Sequence, residues 1–478
     1  MRRNLSTRQR VLRSRRAGSW RAASLCIILT AVCLGTVSAQ RAATSRPNLP
    51  TLPELTSKDR ILILAPHEDD ETLGAGGLIQ KAVSVGAAVR VVYLTYGDHN
   101  ELAFVLYRKR PWVTAKINQQ MGEVRRREAV EAMATLGVPS KNLVFLGYPD
   151  GGTLEIWKKH WGDKPPLVSK ATHGTTVPYP DAFSYHRPHK GEEIVADLER
   201  QLLEFRPTHI FVTQPVDSHP DHRAYYLFLQ VALHNLSGEI PRPALLTYPL
   251  HIGTWPRPYG FRPTEWLPFP KPLVDEQGAW WTLELEPHQV GRKDQAIRKY
   301  KSQTVDNLFW LEAFARRNEL FHAAPEIILR QDEWSTTQGL VARSEAQADE
   351  QKAQEGHVTG VAYRSSAEGL QVRIALRRPL ERELGVSVYA YGYRHDRPFG
   401  TMPKLRVIWR MERLHVTDQG VAIPKAGVLV EATGKWVLVS LPWHLLGDPE
   451  IVLVQAQGQA GGFPVSQTSW RVLRLSHE

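Results

Sequence analysis

Short aliphatic runs alternating with helix-period segments constrain this chain more than any other feature. Arg60-Ile61-Leu62-Ile63-Leu64 is dense enough in aliphatics for a buried strand, and Thr72 to Val85 then repeats Leu73, Leu78, Ile79, Ala82 and Val83 at helical spacing. The alternation continues with a strand over Val89–Thr95, a helix from Met121 to the C′ glycine Gly137, and a strand over Asn142–Leu146. A helix over Glu192–Phe205, a strand over Thr208–Thr213, a helix carrying Tyr226, Leu227, Leu229 and Ala232, and a strand over Ala244–Tyr248 follow. Strands fed by helices in this way build an α/β fold on a mostly parallel, Rossmann-like sheet.

Two of the strand-to-helix turns carry chemistry. His67, Glu68, Asp69, Asp70 and Glu71 stand where the first strand ends, in the crevice at the carboxyl edge of such a sheet. Four consecutive carboxylates repel one another, and a divalent cation removes the conflict. The His67…Asp70 spacing lets an imidazole and a carboxylate meet one ion, with Asp69 directed at a water on it. An acidic helix N-terminus with Asp69 or Asp70 as N-cap accounts for the same residues, and the first cluster alone does not choose. The glycines that follow, Gly74, Gly76 and Gly77, are not a nucleotide fingerprint: no Gly-Lys-Ser/Thr follows, and Ile79 stands where that fingerprint needs glycine. Close helix–strand packing explains them. The second cluster, Asp217-Ser218-His219-Pro220-Asp221-His222, holds the same place after the fourth strand. The repetition is what favours a shared ion, with His67, Asp70 and His222 around it.

The formal charge of +11 invites a nucleic-acid partner, but its distribution excludes one. Residues 1–39 hold eight arginines and no acid; without them 52 of the 60 basic residues face 49 acidic ones, a net of +3. That segment has a basic start up to Arg21, an apolar run from Ala22 through Val37, and Val37-Ser38-Ala39 as a small-x-small cleavage site. It reads as a signal peptide, which makes the protein exported, periplasmic or extracellular, with no stable membrane span after cleavage. An uncleaved N-terminal anchor is the alternative. Cys26 and Cys33 both lie in this leader, so thiolate sites, disulfides and cysteine nucleophiles are excluded from the mature chain.

Residues 40–57 read as a linker, and 58–330 as the α/β domain. His99, in the turn after the second strand, can join the cleft, although a loop histidine there is ordinarily solvated. Residues 153–190 are long, aperiodic and rich in aromatics such as Trp157, Trp161 and Tyr179, which suits either a lid that stacks on sugars or an irregular insertion. His251 to Gly260 is expected to line the cleft. Residues 286–321 supply two helices, with Trp310, Phe314 and Phe321 as core. The polar stretch 331–357 reads as a second linker, and 358–478 as an all-β sandwich. The run Trp436 to Trp443 with Trp470 resembles, weakly, DOMON or family 9 carbohydrate-binding sandwiches; a packing module without ligand fits as well.

With these motifs in place, residues 58–325 resemble the PIG-L/LmbE-like family of zinc-dependent N-deacetylases. The family's Pro-His-Pro-Asp-Asp-Glu motif stands here as Pro66-His67-Glu68-Asp69-Asp70-Glu71, and its His-Pro-Asp-His motif is complete as His219-Pro220-Asp221-His222. Arg125-x-x-Glu128, Gly147-x-Pro149-Asp150-Gly151 and Ser302-Gln303 match as well. Glu68 departs from the usual proline, which bears on substrate fit rather than on metal binding. The resemblance implies Zn2+, or another divalent first-row metal, on His67, Asp70 and His222. It implies Asp69 as general base, His219 as the group that stabilises the oxyanion or assists the leaving amine, and Arg125 and Asp150 as substrate contacts. The expected reaction removes an N-acetyl group from an N-acetylglucosamine-type saccharide or glycolipid. The alternatives are a zinc amidase for a larger N-acyl group, or a glycan-binding protein with a vestigial metal site.

Overall fold

The computed structural model describes residues 46–109, 113–273, 278–324, 326–337, 341–343, 357–380, 383–425 and 427–476. The expected signal peptide and both cysteines lie outside them. Strands β1 (Arg60–Ala65), β2 (Ala88–Thr95), β3 (Leu143–Tyr148), β4 (His209–Thr213) and β5 (Ala244–Tyr248) run parallel. With β6 (Ala279–Glu284) and the antiparallel β7 (Asn318–Ala323) they form one sheet in the order β3-β2-β1-β4-β5-β7-β6. Ile61 to Ala65 are fully buried, as expected of a strand covered on both faces. The chain steps from β1 outward to β2 and β3, then returns to place β4 on the other side of β1. Strand order therefore reverses between β1 and β4, and the turns after these two strands open on one crevice.

Eight helices are present among the described residues: α1 (Asp70–Ser84), α2 (Glu101–Arg108), α3 (Ala115–Leu136), α4 (Thr153–Lys159), α5 (Gly191–Phe205), α6 (Pro220–Asn235), α7 (Pro287–Ile297) and α8 (Lys301–Glu312). Of the α1 glycines, Gly74 packs closely on the sheet, a Cβ there lying 2.1 Å from the Tyr248 ring; one at Gly77 would lie 2.3 Å from Leu285, just past β6, and Gly76 faces Lys293 of α7. Helix α3 begins six residues before Met121 because the Thr114 hydroxyl accepts from the Ile117 amide and caps it there. Residues 286–321 hold two helices, but Phe321, a core residue as expected, sits on β7. Part of the expected N-terminal linker is also structured. Leu52 donates to Thr282 O and Thr282 donates to Pro50 O, each at 2.9 Å, so residues 50–52 extend the sheet beside β6.

The C-terminal part is an all-β sandwich. A nine-stranded sheet centred on Leu384–Tyr393 faces a five-stranded sheet centred on Gly369–Leu376, with Val372, Ile374, Val388, Val407, Val439 and Val454 between them. The expected linker 331–357 is partly sandwich: Trp334–Thr337 pairs with Val358–Ser365, and Val341–Arg343 with Phe463–Thr468. Ile327–Leu329 pairs with Arg471–Leu475, so the sandwich begins before residue 330.

Every residue of Leu384–Tyr393 is buried, although alternate side chains of a strand point to opposite faces. Val386, Val388 and Ala390 fill the sandwich; Tyr389, Tyr391 and Tyr393 join the core of the α/β part. Trp157 of α4 stacks on Tyr391 and Phe399 at centroid distances of 5.5 and 5.4 Å and meets Phe228 and Trp470 edge-on. Trp161 packs edge-on to Phe399 at 4.9 Å. Both tryptophans are fully buried, so these residues of the 153–190 loop join the two parts and offer no lid to a sugar. Of the tryptophans behind the weak carbohydrate-binding likeness, Trp470 is buried in this junction and Trp436 is exposed.

Candidate metal centre

The turn after β1 and the turn after β4 meet at three atoms. His67 Nδ1 lies 3.3 Å from Asp70 Oδ2, His222 Nε2 lies 3.2 Å from the same oxygen, and the two nitrogens are 3.3 Å apart. The other nitrogen of each ring faces carboxylate. His67 Nε2 is 3.1 Å from Asp150 Oδ1 and 3.3 Å from Asp221 Oδ2, and His222 Nδ1 is 3.1 Å from Asp217 Oδ2. A carboxylate only accepts, so each outer nitrogen carries a ring proton, and with a cation in place the inner nitrogens would offer it their lone pairs. Two imidazoles and one carboxylate, each imidazole oriented by an outer carboxylate, fit a divalent cation with a coordination position left open.

The electrostatics make the same demand. Burial works against charge on His222, yet Asp217 and Asp70 push it up to about 9. Burial likewise opposes charge on His67, and Asp150 raises it well above the usual imidazole range. Asp70 is buried, which raises a carboxyl, but His222 beside it holds it well below the ordinary value. The centre is built to hold positive charge. Other donor groups close enough to share an ion overlap it: His67, His219 and His222; His67, Asp150, His219 and Asp221; and Asp70, His222 and His251.

The four consecutive carboxylates avoid one another by pointing apart. Glu68 Oε2 approaches Arg125 Nε at 3.5 Å, and burial raises the Glu68 carboxyl to about 8. Glu71 accepts from Tyr300 Oη and, at 2.9 Å, from Thr72 Oγ1. Only Asp69 and Asp70 face the cleft. Asp69 holds the N-cap position of α1 without a capping hydrogen bond from its side chain, so the helix-cap alternative does not occupy this carboxylate. Its φ of 146° is rarely adopted by an L side chain, and such strain concentrates at functional sites. Burial and then the neighbouring Asp70 raise its carboxyl well above the usual range.

His219 accepts the Asp221 amide on Nδ1 at 3.3 Å. Burial, then the nearby His67, push its pKa down to about 3, so it stands neutral with its proton on Nε2. Around these groups lies a pocket of about 310 Å³ lined by His67, Asp69, Asp70, Arg125, Asp150, His219 and His251, and by Gln303, Asp306, Asn307 and Trp310 of α8. Arg125 borders it while donating Nη1 to Gly97 O at 2.7 Å. Asp150 borders it too, but Oδ1 meets His67 and Oδ2 accepts the His99 amide at 3.0 Å, which makes it an orienting group for His67. His99 lines the pocket as well.

Three participants were not assigned roles from sequence. Asp217 and Asp221 stood in the second cluster, but which side chains turn toward the imidazoles is decided by the turn's geometry. Asp221 also accepts from Gly151 N, Thr153 N and Thr153 Oγ1, tying the turn after β3 to the one after β4. Trp310, expected in the core, packs against its edge and also lines the pocket, stacking on His251 at 5.0 Å. Its helical spacing resembles that of a core residue, and the helix is kinked at the non-helical Asn307 just before it.

Fold and donor set define a Rossmann-like α/β protein with a cation-capable centre at its topological switch point. Residues 62–233 match the family described as PIG-L, GlcNAc-PI de-N-acetylase. It is 31% identical over 186 residues to a 1D-myo-inositol 2-acetamido-2-deoxy-alpha-D-glucopyranoside deacetylase of Mycobacterium sp. (strain KMS), covering 38% of this chain and 53% of that protein. A protein of the same description from Saccharopolyspora erythraea is 32% identical over 184 residues, covering 37% and 55%. The chain thus spans about half the length of these curated relatives. Among solved structures, N,N'-diacetylchitobiose deacetylase from Pyrococcus horikoshii aligns at 18% identity with a TM-score of 0.33, covering 55% of this chain and 82% of that one.

Proposed function

We propose that this protein is an exported, zinc-dependent deacetylase that removes the N-acetyl group from an N-acetylglucosamine-type unit of a saccharide or glycolipid. The observation that carries this reading is the convergence of His67 Nδ1, Asp70 Oδ2 and His222 Nε2 beside Asp69 and His219 in one pocket. The deacetylase descriptions of its relatives and the PIG-L domain support the reaction class. The basic and apolar leader supports export.

His67, Asp70 and His222 would hold the metal, with Asp217, Asp150 and Asp221 fixing the two rings. When bound, a divalent cation supplies Lewis acidity to the amide carbonyl and to water. Asp69, kept basic by burial and by Asp70, takes the proton of the attacking water. His219, neutral, presents Nε2–H to the negative charge that develops on the carbonyl oxygen. As the C–N bond breaks, Asp69 returns its proton to the leaving amine, giving acetate and the free amino sugar. Arg125 and Trp310 border the space the sugar would occupy.

The test is acetate release from a panel of N-acetylated and longer N-acylated amino sugars, by zinc-loaded protein and by chelated protein. Release that needs the metal and favours acetyl supports the reading. Binding of glycans with no acetate released from any of them would sink it.

A further inference from the structure

Where the sandwich meets α4 and α6, two cations lie over one ring and a third acts on it electrostatically. Lys158 Nζ lies 4.8 Å from the Tyr389 ring centre and the Arg406 guanidinium carbon 5.0 Å from it, Arg406 being the cross-strand partner of Tyr389. Arg223, in the first turn of α6, acts electrostatically on the same tyrosine and donates Nη1 to Gln467 Oε1 at 2.6 Å. No carboxylate of the described residues lies within ion-pair distance of Lys158, Arg223 or Arg406. The Nε–H groups of Arg223 and Arg406 are buried without an acceptor. Two other buried cations are matched by carboxylates, Lys293 by Glu319 at 2.6 Å and Arg316 by Glu265 at 2.9 Å, while buried Lys404 donates to the carbonyls of Phe399 and Met402.

A ring face offsets only part of the cost of crowding three positive charges among partly buried side chains. Unused guanidinium donors beside an ammonium are the apparatus that binds tetrahedral oxyanions, since Arg presents a planar fork and Lys a point charge. We infer that this cluster, where the α/β domain meets the sandwich, is a binding site for a phosphate or sulfate group, held by Lys158, Arg223 and Arg406. The field of the cluster is visible in Lys158, whose pKa burial, Arg223 and Arg406 bring down to about 7. The site is distinct from the metal centre: none of its three cations borders the catalytic pocket. Its ligand would join α4, α6 and the strand Lys404–Arg410, so occupancy would tighten the attachment of the sandwich.

The experiment uses the full chain and reads binding rather than catalysis, so it stands whatever becomes of the deacetylase reading. Titration calorimetry and thermal unfolding are followed with sodium phosphate, sodium sulfate and a glycerol-phosphate polymer, against sodium chloride at matched ionic strength. Phosphate or sulfate is expected to bind and to raise the unfolding temperature where chloride does not. Arg406→Gln and, separately, Lys158→Gln should each weaken binding about tenfold, the scale of one charge-assisted hydrogen bond. Tighter binding of the polymer would identify a phosphate-bearing chain as the source of the group; equal or weaker binding would identify the free ion. Equal stabilisation by chloride, or unchanged affinity in both variants, would overturn the inference.

Discussion

His222 Nδ1 and Asp217 Oδ2 lie 3.1 Å apart with both side chains fully buried, and this pair fixes which nitrogen of His222 faces His67 and Asp70 in the candidate metal centre. Asp217 is itself held by the amides of His219 and His251, at 2.8 and 3.1 Å. Carboxylates behind metal-bound imidazoles raise ligand basicity and lock ring orientation. Asp217→Asn is expected to keep the fold and to lower zinc affinity by about 10- to 100-fold, measured by competition with a chromophoric chelator.

Substitutions at Asp69 and His222 separate the proposed base from the proposed ligands. Asp69→Asn should retain zinc by elemental analysis and lose about 10²- to 10⁴-fold in kcat. Wild-type turnover in that variant would remove Asp69 from the role of base. His222→Ala should lose the metal, and full occupancy would take it out of the ligand set.

Gly74 has no room for a side chain, since a Cβ would sit 2.1 Å from Tyr248 Cδ2. The Tyr248 hydroxyl donates to Leu64 O at 2.8 Å, so the ring cannot swing away without breaking a buried bond on β1. Gly74→Ala is expected to destabilise by about 1–3 kcal/mol through overpacking, read from the urea midpoint.

Trp157 has both parts of the molecule packed around it. Trp157→Ala should cost about 3–5 kcal/mol and lower a single, shared unfolding transition. Two separate transitions with the α/β part unaffected would show that the sandwich hangs on a tether.

Lys404 carries a pH dependence. It is buried under Trp161 and Phe399, and burial lowers its pKa to about 7, against about 10.4 in an unfolded chain. Between those values the unfolded state binds the additional proton, so stability rises with pH, by at most about 1.4 kcal/mol per pH unit for this group. Urea midpoints are expected to climb from pH 7.5 to 9.5, and the climb should flatten in Lys404→Met. An identical slope in the variant would show that the lysine is solvated.

Much of the α/β part could be read without coordinates. β1 to β5 came from aliphatic density, α1, α5 and α6 from apolar spacing, and the two polar turns from their repetition after buried strands. These are local properties: burial on both faces forces a strand to be continuously apolar, and a helix to keep its 3.6-residue period. The sequence therefore determined a mostly parallel sheet with His67, Asp70 and His222 at its carboxyl edge. Only the tertiary structure decided the rest. The turns converge because strand order reverses between β1 and β4, a relation across roughly 150 residues that no local pattern encodes. It also decided that Glu68 and Glu71 turn away, that Asp217 and Asp221 orient the rings, and that Trp310 faces the pocket while Trp157 does not. Aromatic side chains look alike in sequence whether they bind sugars or fill a core, and their surroundings are fixed when distant elements pack. The strands inside residues 331–357 were hidden for the same reason, since their ladders pair with segments far along the chain.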